Sequence, residues 1–90
     1  MQDNKFVREF ESLKSYDKVQ YIDFIEAGDH KFEFLSTGSH GYLIVPRDDK
    51  FIDIAKNIST KYGYIGKLAI YLEEDCEAPA FIKQVKVINS

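Results

Sequence analysis

Tryptophan is absent from this chain, and cysteine, proline and glycine are scarce, with one, two and five residues. Cys76 alone cannot close an intramolecular disulfide, so a disulfide-stapled scaffold is excluded. No apolar run approaches the roughly 20 residues of a membrane helix, and no apolar core of a signal peptide stands at the N-terminus. A cytoplasmic setting with no membrane association is therefore expected. Clustered positive charge is missing as well. Fifteen acids against 12 bases leave a net charge of −3, whereas binding along a nucleic-acid backbone calls for basic clusters. Nucleic acid is accordingly not the expected partner, and the acidity is too mild for a polyanionic tail. Linkers, internal repeats and low-complexity segments are also lacking, so the 90 residues read as a single domain.

What the chain does have is aromatic bulk. Seven Phe and six Tyr contribute to an apolar fraction of 44%, beside 30% charged residues, a balance that suits a folded protein rather than a disordered one. A chain of this length buries only about 60–65% of its unfolded surface. The core is thus small and leans on aromatics, and a homodimer is an expected way to stabilise it.

Asp3 or Asn4 can cap a first helix running to about Lys14, with Phe6, Phe10 and Leu13 on one face and Lys5, Arg8, Glu9 and Glu11 on the others. Asp17 and Gln20 resemble a capping box. The spacing of Val19, Ile22 and Ile25 predicts a second helix over 18–27, with Gly28 ending it. A strand over Val19–Ile25 is the alternative, because β-branched and aromatic residues are dense there. From His30 the period is two: Phe32 and Phe34 lead through a turn at 36–41, whose glycines are expected at positive φ, into Tyr42–Val45 and Pro46. Asp48 can cap a third helix, with Phe51, Ile54, Ala55 and Ile58 inward. Residues 62–66 read as a connection, and Leu68, Ile70 and Leu72 mark a third strand. A last helix, capped by Asp75 or Glu77, carries Phe81, Ile82, Val85 and Ile88. The predicted fold is α+β in the order ααββαβα: a three-stranded sheet, a hairpin plus one crossover strand, with helices mainly on one face. Residues 1–28 form a helical N-terminal pair and 29–90 the core.

Chemistry is sought first at the run Tyr71-Leu72-Glu73-Glu74-Asp75-Cys76-Glu77, where a strand hands over to a helix. A helix N-terminus favours a thiolate at Cys76, but four flanking acids oppose it, and a packing thiol is the simpler expectation. His30 and His40 should stand roughly 20 Å apart at opposite ends of the hairpin, by ~3.3 Å per strand residue, and so should not share a metal. His40 with Asp75 or Cys76 remains an open pairing. Consecutive acids at a strand end point to alternate sides, so the bland reading of Glu73, Glu74 and Asp75 is charge matched to a helix dipole. The turn Gly38-Ser39-His40-Gly41 opens no helix and is not a phosphate loop. Tyr42, Tyr62, Tyr64 and Tyr71 are the subtler signal: alternation turns Tyr42 and Tyr71 away from the apolar residues, toward a face that three strands would leave wet.

The stretches His40-Gly41-Tyr42-Leu43, Val45-Pro46, the residues Ser59, Tyr62, Tyr64 and Gly66, and Tyr71 through Glu77 with Phe81 together resemble a family of small bacterial and phage proteins carrying "HGYLxVP" and "YLEEDCD" motifs. The resemblance spans about residues 32–85, with Glu77 where that family has Asp. It implies an α+β fold and a phage or mobile-element setting, and carries no catalytic residue across. The expectation is a small protein of no enzymatic activity and no cofactor, acting by binding a protein such as a host factor or defence component. Its expected contact surface is His40, Tyr42, Tyr64, Tyr71, Glu73, Glu74 and Asp75. The competing expectation is a metal- or thiol-dependent accessory enzyme built on His40, Cys76 and the acids.

Overall fold

The computed structural model describes residues 4–13, 18–58 and 61–88. Its elements run α1 (Lys5–Leu13), β1 (Tyr21–Ala27), β2 (His30–Ser36), β3 (Gly41–Pro46), α2 (Ile52–Asn57), β4 (Tyr64–Ile65), β5 (Ala69–Glu73) and α3 (Ala78–Ile88). All five strands form one antiparallel sheet in the order β1-β2-β3-β5-β4. The α+β class is as expected. The three-stranded sheet, the order ααββαβα and the helical N-terminal pair are not.

The main correction is at residues 18–27, where a strand replaces the predicted helix. β1 pairs with β2 from Tyr21↔Ser36 to Ala27↔His30. The residues spaced as a helical stripe divide between the two sheet faces: Val19 and Ile22 join one apolar cluster and Ile25 the other. Gly28 does adopt a left-handed φ of 62°, but in a two-residue hairpin turn rather than at a helix end. A neighbouring strand that satisfies the backbone outweighs weak helical spacing in a β-branched segment. At the free edge of β1, Phe24 N–H donates to the Asp23 carboxylate at 2.9 Å.

The segment read as a connection contains β4, which pairs Tyr64↔Tyr71 and Ile65↔Ile70. Leu68 lies outside β5 and is 40% exposed, while the strand extends to Glu73. β3 and β5 are antiparallel, so the strand after α2 does not return as a parallel crossover beside β3. The glycines of the 36–41 turn do not have positive φ. Gly41 is small for another reason: a Cβ there would lie 2.3 Å from Phe34 Cζ. Asn4 caps α1 as expected, its Oδ1 accepting the N–H groups of Phe6 (2.8 Å) and Val7 (3.3 Å). Asp48 does not cap α2, whose N-cap position is Phe51 with no side-chain cap bond; Asp49 accepts Phe51 N–H at 2.8 Å in the turn before the helix. Asp3, Lys14, Asp17 and Ser59 lie outside the described residues.

The helices cover both faces, not one. On the first face, α2 and α3 bury Phe32, Leu43, Val45, Phe51, Ala55, Ile70, Leu72, Phe81 and Val85. On the second, α1 sets Val7 and Phe10 over Leu35, Tyr42, Ile44, Ala69 and Tyr71. Phe10 has no exposed surface, and its ring lies 4.9 Å from Tyr42, 5.5 Å from Tyr71 and 5.8 Å from Tyr64. Burying such a ring contributes about 1.5–3 kcal/mol. The tyrosine face is therefore covered.

Glu9 clasps α1 to the sheet. Its carboxylate accepts Lys67 N–H at 2.7 Å, Leu68 N–H at 3.0 Å and the Tyr71 hydroxyl at 2.8 Å. Gly66 makes room for it, since a Cβ there would stand 2.2 Å from Glu9 Oε1. Arg47 steadies the same turn with two bonds to Gly66 O, at 2.8 and 3.2 Å. Partial burial pushes the Glu9 pKa up, but Tyr71 and the turn N–H groups together bring it below the ordinary 4.5. The fold thus favours ionised Glu9. Its stabilisation is complete above 4.5 and is lost as pH falls through the lowered folded value. Glu9→Gln should reduce stability at pH 7 by about 1 kcal/mol, water screening the open side of the carboxylate. The variant should also show a flatter stability profile on acidification; denaturant titrations from pH 7 to pH 3 measure both effects.

Candidate functional site at the acidic junction

β5 ends where the backbone turns from the sheet into α3, and the turn's donors need acceptors. The acids supply them. Glu73 Oε1 accepts the N–H groups of Asp75 (2.9 Å) and Cys76 (3.0 Å) in the turn before α3, and Glu77 stands directly before α3, its carbonyl accepting Phe81 N–H at 3.1 Å. Glu77 is 3% exposed and accepts Tyr62 N–H at 3.1 Å and Glu73 N–H at 3.2 Å. Gly63 packs against this pair, where a Cβ would lie 2.1 Å from Tyr71 O. Glu74 clasps the start of β3: its carboxylate accepts Gly41 N–H at 3.1 Å, and its own N–H donates to Gly41 O at 3.0 Å. Thr37 Oγ1 in turn accepts His40 N–H at 3.1 Å, closing the 37–40 loop.

These constraints bring His40 beside the junction. A cleft of about 320 Å³ opens there, lined by His40, Tyr42, Tyr62, Glu73, Asp75 and Cys76. A ring nitrogen of His40 and one carboxylate oxygen from each of Glu73 and Glu74 lie within 4.8 Å of one another, so modest side-chain movement would bring all three donors to one cation. The acids grouped with His40 at this spacing are Glu73 and Glu74, while Asp75 and Cys76 line the same cleft. His30 sits at the far end of the hairpin as expected, its Nε2 2.7 Å from Asp49 Oδ2.

Of the residues expected to form a contact surface, His40 and Asp75 are exposed and Tyr64 and Glu74 partly buried. Glu73 is 8% exposed, Tyr42 2% and Tyr71 not at all. The two buried tyrosines belong to the core beneath α1 and are not available as an open surface. Burial, and then the Glu9 carboxylate that takes its hydroxyl bond, push the Tyr71 phenol far above the ordinary 10.0. No family model, curated protein or solved structure matches the chain. The motif resemblance therefore rests on its own residues. Tyr62 and Cys76 are additions to the expected surface. Glu9 was hidden in the sequence because a charge on an amphipathic helix ordinarily faces water.

Cys76 is exposed. Its pKa is raised, first by displacement of water around the thiol, then by the charges of Glu73, Asp75 and Glu77 and a hydrogen bond to Glu73. A raised pKa leaves less thiolate at neutral pH. Cys76 should therefore be alkylated by iodoacetamide more slowly than cysteine in an unstructured peptide, and Asp75→Asn should speed the reaction. A thiol faster than the peptide would contradict this electrostatic picture.

Proposed function

We propose that this is a cytoplasmic protein that acts by binding rather than by catalysis, gripping a basic segment of a protein partner in the cleft at the acidic junction. The observation that carries this reading is the meeting of the Glu73 and Asp75 side chains with the rings of Tyr62 and His40 in one opening. A lysine or arginine side chain suits such a place: its stem packs on the rings and its charge faces the carboxylates. Tyr62, 54% exposed, supplies the kind of aromatic anchor that dominates binding energy. The motif resemblance supports a phage or mobile-element setting, in which host factors or defence components would be the partners. Random peptides selected on the wild-type protein should be enriched in Lys and Arg, and should lose binding to Asp75→Lys. Selection without a basic bias, or unchanged binding to Asp75→Lys, would defeat the proposal.

The His40–Glu73–Glu74 grouping supports a second reading, a divalent metal site serving a metal-dependent accessory activity. An imidazole with two carboxylates is a donor set for zinc or manganese, and three protein ligands beside an open cleft would leave a coordination position for substrate. Protein made without a histidine tag should then carry stoichiometric zinc, lost in His40→Ala. Failure to retain any metal after incubation with zinc and gel filtration would remove this reading.

A further inference from the structure

We infer, resting on the basic-segment reading above, that a divalent transition-metal ion switches off the cleft at the junction by taking the Glu73 carboxylate from the basic side chain. The metal is then a regulator of binding rather than a centre of catalysis. Two sets of side chains overlap at this place. His40, Tyr62, Glu73 and Asp75 line the cleft. His40, Glu73 and Glu74 bring one donor atom each within 4.8 Å of one another. His40 and Glu73 belong to both sets, and Glu73 is buried to all but 8% of its surface. Two cations brought to one carboxylate stand close together and repel, the more so where little water screens them.

The donors are already set in place. Glu73 Oε1 is held by the N–H groups of Asp75 and Cys76, Glu74 Oε1 by Gly41 N–H, and the His40 backbone by Thr37 Oγ1. Ligands anchored in this way lose little freedom when an ion arrives. An imidazole with two carboxylates suits zinc or manganese, whereas magnesium takes oxygen ligands. A divalent ion offsets the charges of Glu73 and Glu74, so the attraction on a lysine or arginine falls chiefly to Asp75. Two acids tell the ligands apart. Glu74 belongs to the metal grouping and not to the cleft wall, and Asp75 to the wall and not to the grouping.

The test uses the full chain and a fluorescent hexapeptide of alternating Lys and Arg, which has no side chain that holds zinc at neutral pH. The affinity of this peptide for metal-free protein should fall about ten-fold when zinc saturates the chain. Magnesium at the same concentration and matched ionic strength should leave it unchanged. Saturating peptide should weaken zinc binding, read by calorimetry, by the same factor, because coupling between two ligands is reciprocal. In Glu74→Gln, which keeps an oxygen for Gly41 N–H, zinc should no longer alter the peptide affinity, whereas Asp75→Asn should still bind zinc. A peptide that does not bind metal-free protein would overturn the basic-segment reading and this inference with it. A peptide that binds while zinc does not, zinc and peptide that bind without weakening each other, or an equal loss with magnesium would overturn the inference and leave that reading standing.

Discussion

β3 and β5 pair along the middle of the sheet with both faces out of water. Every residue of β5 is buried, and so is every residue of β3 before Pro46. A pair of strands in this condition must be covered twice, and much of the rest of the architecture answers that requirement. α2 and α3 serve one face. The other is left to α1, which comes from the N-terminal end of the chain and has to be fastened by a long-range bond. Glu9 is that fastening, and its partners lie some 60 positions along the chain. The same double burial explains why the tyrosines of the inner strands carry hydroxyls that must find partners in the protein rather than in solvent.

Periodicity was most informative where an element has one wet face. The α2 stripe of Phe51, Ile54, Ala55 and Ile58 and the α3 residues Phe81, Ile82 and Val85 pack as their spacing indicates, although Ile88, expected on the same stripe, is 63% exposed at the helix end, and the hairpin pairs Ser36 with Gly41. It failed where a strand edge mixes sides. Tyr21–Ala27 shows no clean alternation, because Tyr21, Asp23, Phe24 and Glu26 are all exposed while the apolar residues between them serve different faces. β4 has two residues, too few for any period to register. The two-layer reading failed for a related reason. An alternation that sends Tyr42 and Tyr71 away from Leu43 and Leu72 is correct, but it cannot say whether a helix waits on the other side.

The acidic run changes meaning in three dimensions. Four acids in five positions look like a charged surface, yet only Asp75 is exposed. Glu73, Glu74 and Glu77 each accept backbone N–H groups from segments that would otherwise end without partners. An acceptor on a side chain can reach a donor anywhere nearby, which is why these partners could not be assigned from spacing alone. Catalysis by such carboxylates would have to share them with these structural bonds. Recognition would not, since the charge remains after the hydrogen bonds are made.

The bond from Phe24 N–H to the Asp23 carboxylate on β1 has a colloidal consequence. A seven-residue edge carrying exposed Tyr21 and Phe24 is the sort of margin onto which another strand can crystallise in a crowded solution. Here a negatively charged side chain occupies one of the docking points on that margin, and the opposite margin ends after two residues. Both rims are thus blunted as places for a further strand to pair, the first by an occupied N–H beside a negative charge and the second by its shortness.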